Sequence, residues 1–203
     1  MLDYYRFLFS DNKAWIVRII CWAILWAMVG ASSFYFHPEL FARLESYLRS
    51  IFTEILGRGP LPLNLSTTLA IFRNNLLAAF VTLFGGVILG LLPLIGVAVN
   101  FYILGFLLAA FVVPRGFEGL FVFVASVLPH AVLEIPTFIL AAAFGLRFGV
   151  SWVKPMPGLG VRQSFFLALR RNFEILPVLV ALFFLAAVLE VFVSGSLAKW
   201  IGQ

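Results

Sequence analysis

The residues best placed to do chemistry lie in LPHAVLEIPTF, residues 128–138, where His130 and Glu134 stand four apart between Pro129 and Pro136. On a helix that spacing puts both side chains on one face, about one turn apart. An imidazole and a carboxyl so placed can hydrogen-bond to each other, exchange a proton near neutral pH, or offer two ligands to a metal. Two ligands from one helix leave a zinc site short of a third protein ligand, so no metal is expected. The surrounding run, residues 120–144, is strongly apolar. In lipid an ionised glutamate is costly, so the pair must face other helices or an aqueous cavity.

The pair belongs to a longer stripe. Ser126, His130, Glu134, Thr137, Ala141 and Gly145 recur every three or four residues and line one helix face. A preceding apolar run offers a partner face in Asn75, Ala79, Thr82, Gly86 and Gly90, of which Gly86 and Gly90 form a GxxxG pair suited to close backbone approach. A third run adds Gly96, Asn100 and Gly105. The expected assembly is a tight group of three helices with Asn74 and Asn75 near the start of one, and with Asn75, Asn100, His130 and Glu134 turned inward.

What positions these residues is a membrane. The chain is 63% hydrophobic and 11% charged, with a mean hydropathy of +1.09, more apolar surface than one soluble core can hide. Five runs are long enough to span, at about 15–36, 68–92, 94–113, 120–144 and 175–193. The fold class is therefore all-α, a single polytopic helical bundle over residues 1–203. Two further segments do not span. Residues 37–58 alternate apolar and charged positions with helical period and predict an amphipathic interfacial helix, and residues 145–174 read as a basic loop containing a short amphipathic piece. Pro129 and Pro136 are expected to break or kink the fourth span.

Charge gives orientation and excludes some partners. Arg6, Lys13, Arg18, Arg147, Lys154, Arg162, Arg170 and Arg171 fall on one side of a five-span arrangement, while the other side offsets its basic residues with Glu39, Glu45, Glu54, Glu118 and Glu190. The bias predicts an N-terminus inside and a C-terminus outside a cell membrane. Arg170 and Arg171 read as topology determinants, and Glu190 as interfacial. The net charge of +5 is scattered rather than clustered, so nucleic acid is not an expected partner. The single cysteine, Cys21, leaves no intrachain disulfide. No HExxH or GxSxG motif is present, no catalytic set is complete, and neither an enzyme nor a cofactor is expected.

The stretches FRNNLLAAF, GGVILG, VNFYILG and PHAVLEIPTFILAAAFGLRFG, over about residues 73–149, resemble the integral membrane family of stage II sporulation protein M. Asn74, Asn75, Asn100, Gly105, Pro129, His130, Glu134, Pro136 and Gly145 match the family pattern, while Phe101 and Ala131 stand where it has glycine. In endospore formers the resemblance implies a membrane scaffold that gathers cell-wall-degrading enzymes during engulfment. The expected function is accordingly a membrane scaffold or assembly protein of the cell envelope, homo-oligomeric through its small-residue faces. The alternative is a proton- or ion-coupled transporter or channel component using His130 and Glu134.

Overall fold

The computed structural model describes residues 2–41, 43, 46 and 63–194, with the backbone alone at 2, 126–130 and 194. Among these residues the chain is mostly helical, with no strand. The helices are α1 (Leu2–Phe36), α2 (Leu65–Phe84), α3 (Leu91–Val150) and α4 (Val161–Leu189), with a 3₁₀ turn at Gly85–Val87 and a π turn at Glu190–Ser194. Five stretches are long and apolar enough to cross a membrane: Asp3–Phe36, Leu65–Val87, Leu91–Ala125, Ala131–Val150 and Val161–Val193. The amphipathic helix expected at 37–58 lies mostly outside the described residues; at its start Leu40 and Phe41 pack against Phe34.

α3 holds two of the spans because it folds back on itself at Gly116, whose φ of 58° and ψ of −128° are not helical. Only glycine reaches such a conformation without strain. The two arms of α3 then run antiparallel. Gly145 meets Pro93, Gly96 meets Phe138, and Phe111 meets Phe123 across the bend at 6.1 Å between ring centroids.

The prolines expected to break the fourth span do not break it. The backbone runs as helix through Pro129 and Pro136, and Gly116 carries the only non-helical residue in α3. Pro136 is exposed on the outer side of the arm, where its ring meets little protein and its missing N–H is tolerated.

Helix packing follows the small residues. The 85–90 turn lies backbone to backbone against the end of α3: a Cβ on Gly86 would overlap Gly145, and one on Gly149 would overlap Gly86 and Gly90. In the same way Gly105 abuts Ala27 of α1, and Gly30 abuts Tyr102 of α3. Gly86, Gly105 and Gly145 are thus helix-packing positions, joined by Gly30 and Gly149.

Two details differ from expectation. Gly86 and Gly90 do not form a GxxxG face, because α2 ends at Phe84 and Gly90 takes a left-handed φ of 76° at the start of α3. A Cβ added at Gly96 would make only ordinary contacts, 3.5 Å from Phe138 and Thr82. These close approaches are made within one chain.

α1 lies along the first arm of α3 and runs parallel to it, with Trp22 Nε1 donating to the Leu94 carbonyl at 3.0 Å. α4 runs antiparallel to α2, as Asn172 donates to Leu83 at 3.1 Å near one end and Phe72 meets Phe184 near the other. The core is built from Leu8, Ala79, Leu83, Ala141, Phe144, Ile175, Leu179 and Phe183, drawn from all four helices.

Two boundaries move outward from expectation. α1 begins at Leu2 rather than near residue 15 because Leu8 and Asn12, one turn apart, bury themselves against the bundle. The segment 145–174, expected as a basic loop, is loop only around residues 151–160. The end of α3 is buried from Ala141 to Leu146, and α4 buries Ser164, Ala168, Arg171 and Asn172 on one face, so both stretches are held as helix.

Candidate functional site: a polar cleft between the helices

Midway along the bundle a cleft of about 260 Å³ gathers polar groups from three helical segments. α2 supplies Asn74 and Asn75, the first arm of α3 supplies Asn100, and the second arm supplies Glu134. Its apolar walls include Ala78, Leu104, Ile135, Phe138 and, from α4, Phe183. Phe101 and Ala131 line it as well, so the two positions that depart from the family pattern face the same space. An apolar hollow with a few convergent polar groups is the usual form of a binding site.

The stripe on the second arm faces inward where its side chains are described. Thr137 and Ala141 are fully buried, and Thr137 Oγ1 donates back to the Leu133 carbonyl at 2.5 Å. The His130 side chain lies outside the described residues, so only its helical register, one turn before Glu134, is described. Asn100 departs from the expected inward packing, and Asn74 lines the cleft with it. Both are exposed on the lateral surface, while Asn75 and Glu134 are half-buried.

Asn100 Nδ2 donates to the Gly96 carbonyl at 2.8 Å, a bond within its own helix that leaves the amide oxygen free to accept. Outside the cleft the surface continues as a shallow groove between α2 and the first arm, lined by Leu77, Val81 and Ile95. A transmembrane surface bearing two exposed amides is costly against hydrocarbon.

Glu190, read from the sequence as interfacial, is built into the end of the last helix. It opens the π turn at the end of α4 and is half-buried there. π turns recur at functional sites. The signal available in the sequence was the absence of a basic neighbour at helical spacing around Glu190.

A second polar cluster closes one end of the bundle and was not legible as a unit. Asp11 of α1 accepts from Arg147 at the end of α3 at 2.6 Å and also pairs with Arg171 of α4. Arg147 donates to the Asn12 side chain at 2.9 Å, and both arginines approach the Met156 sulfur. The two guanidiniums are only 11% exposed. They tie helices together and are not simply topology determinants.

Among the described residues no group of three or more histidine, cysteine or acidic side chains converges as a metal site would require.

Comparison with known proteins agrees with this architecture. A profile of the family described as stage II sporulation protein M matches residues 15–195, well beyond the central stretch that carries the sequence resemblance. An uncharacterised protein of Methanocaldococcus jannaschii is 32% identical over 138 residues, covering 67% of this chain. The match spans 59% of that relative's length. No solved structure matches. A match from the first span to the last, taking in every residue of the cleft, places the chain in the stage II sporulation protein M family.

Proposed function

We propose that this protein is an integral membrane scaffold of the cell envelope that holds partner proteins by their transmembrane helices. The observation that carries the reading is the lateral cleft, in which Asn74 and Asn100 are exposed on a surface that otherwise faces lipid. Amides in that position are satisfied when a neighbouring helix brings its own polar side chains, an interaction worth about 1 kcal/mol per bond in a membrane. Family membership supports the same reading, and so does the lack of any complete catalytic set in the sequence. The basic side of the bundle, with Lys13, Lys154, Arg162 and Arg170 exposed, fits an N-terminus inside and a C-terminus outside.

The test is the size of the complex recovered from its native membrane in mild detergent. The double substitution Asn74→Leu with Asn100→Leu removes two polar anchors at little cost to the bundle. Loss of about 2 kcal/mol corresponds to roughly 30-fold weaker association, so the assembly is expected to shift to the size of the isolated chain. A complex of unchanged size and partner content contradicts the scaffold reading.

A second reading is favoured by a separate observation. Glu134 is a half-buried carboxyl at the cleft with no hydrogen-bond or cationic partner recorded among the described residues. Such a group inside a membrane is a candidate for proton or ion coupling.

A further inference from the structure

The lateral cleft offers oxygen acceptors and no cation. Glu134 contributes a carboxyl, Asn74 and Asn75 contribute amide oxygens, and the Asn100 oxygen is left open because its Nδ2 already donates to the Gly96 carbonyl. No arginine or lysine lines the hollow, and among the described residues none pairs with Glu134. Arg73, the basic residue nearest to these amides in sequence, is exposed and stands outside the lining.

An unpaired carboxylate is costly in a membrane, and so is an unpaired lysine or arginine. Each is accommodated when it meets the other and the remaining donors and acceptors are hydrogen-bonded. The cleft supplies one half of such an arrangement, a carboxyl with amide oxygens around it.

Depth decides what can bring the other half. Asn74 stands about 14 Å from either end of α2, level with the middle of a hydrocarbon layer about 30 Å thick. Lipid headgroups lie at the helix ends, whereas a side chain halfway along a spanning helix reaches this level directly. The hollow of about 260 Å³ exceeds the roughly 150 Å³ that admits a benzene molecule, so it has room for one long side chain.

We propose that the partner helix seated on the cleft carries a lysine or arginine near its midpoint, whose charged head pairs with Glu134 and donates to the surrounding asparagine oxygens. The inference rests on the scaffold reading and specifies the chemistry of the partner. It makes the pairing selective, because a helix with an apolar centre leaves Glu134 unpaired and one with an acidic centre repels it.

The experiment uses model helices as the partner. The full chain, carrying a donor fluorophore on its single, exposed cysteine, Cys21, is reconstituted in phosphatidylcholine liposomes. Acceptor-labelled leucine-alanine peptides of about 20 residues bear lysine, glutamine or leucine at the central position. Energy transfer should report about tenfold tighter association for the lysine peptide than for the glutamine peptide, with glutamine above leucine. Glu134→Gln should bring lysine and glutamine to within about twofold of each other, while glutamine stays above leucine and so shows that the cleft is intact.

Equal association of the lysine and glutamine peptides with the wild type, both above leucine, overturns the basic partner and leaves the scaffold reading standing. A lysine preference retained in Glu134→Gln overturns it as well. Equal association of all three peptides removes the scaffold reading with it. Loss of the lysine preference when phosphatidylethanolamine replaces phosphatidylcholine would make a lipid ammonium the occupant and overturn the helix.

Discussion

Gly149→Leu is expected to leave little folded protein in the membrane. Gly149 lies against the backbone of Gly86 and Gly90, so even a Cβ there overlaps main-chain atoms that no rotamer change can move aside. A leucine must push the 85–90 turn off the end of α3, and with it the joint between the second and third spans. Overpacking of a tight core costs about 1–3 kcal/mol and sometimes more; a clash with backbone belongs at the upper end. Gly149→Ala should already lower Tm measurably. Gly160→Ala is the comparison without a clash, since nothing lies within 4 Å of its added methyl; as the N-cap of α4 it should lose only about 0.5–1 kcal/mol, the ordinary cost of alanine at a cap. Unfolding of purified variants in one detergent compares all three.

Asp11→Asn should be comparably damaging for a different reason. A single carboxylate compensates Arg147 and Arg171, each only 11% exposed. Removing its charge leaves the two guanidiniums with no other carboxylate paired to them among the described residues. Breaking a buried pair in this way costs about 3–5 kcal/mol; with Asp11 itself 30% exposed, solvent relieves part of that, and a loss of about 2–3 kcal/mol is expected. The effect should fall on the attachment of the first turns of α1, where Leu8 and Asn12 are buried. Protease cleavage within residues 2–14 should therefore accelerate before global unfolding. Replacing Arg171 as well, as Asp11→Asn with Arg171→Met, should recover part of the loss because one of the opposed charges is gone.

Helical periodicity was informative wherever a contact was set by one face of one helix. It brought Asn75, Asn100 and Glu134 to a common space and pointed the Thr137 and Ala141 face inward, because lipid leaves a polar-to-small stripe nowhere else to go. The break between the third and fourth spans was also visible in VPRGFEG, where Gly116 makes the reversal. Proline was a poorer guide. Pro129 and Pro136 suggested breaks, yet the backbone stays helical through both.

Contacts distant in sequence were the least legible. Asp11 meets residues 136 and 160 positions away, and nothing in its local sequence distinguishes it from a solvated charge. Glu190 reads as interfacial because the apolar run ends just after it; its half-burial in a π turn depends on packing that its local sequence does not reveal. Gly30 and Gly149 carried no stripe of their own and became meaningful only against Tyr102 and the 85–90 turn.

The exposed amides give the account its central claim, that the lateral cleft is covered by a partner helix in the native membrane. The most direct measurement is site-specific photo-crosslinking of the full chain in its own membrane, with the photoreactive side chain at Ala78, which lines the cleft and is exposed. Val17, exposed on α1, serves as the comparison position. The account predicts a discrete protein adduct from position 78, weaker or absent from position 17, and lost when Asn74 and Asn100 are leucine. Crosslinking to lipid alone from position 78, at the level seen from position 17, would contradict it.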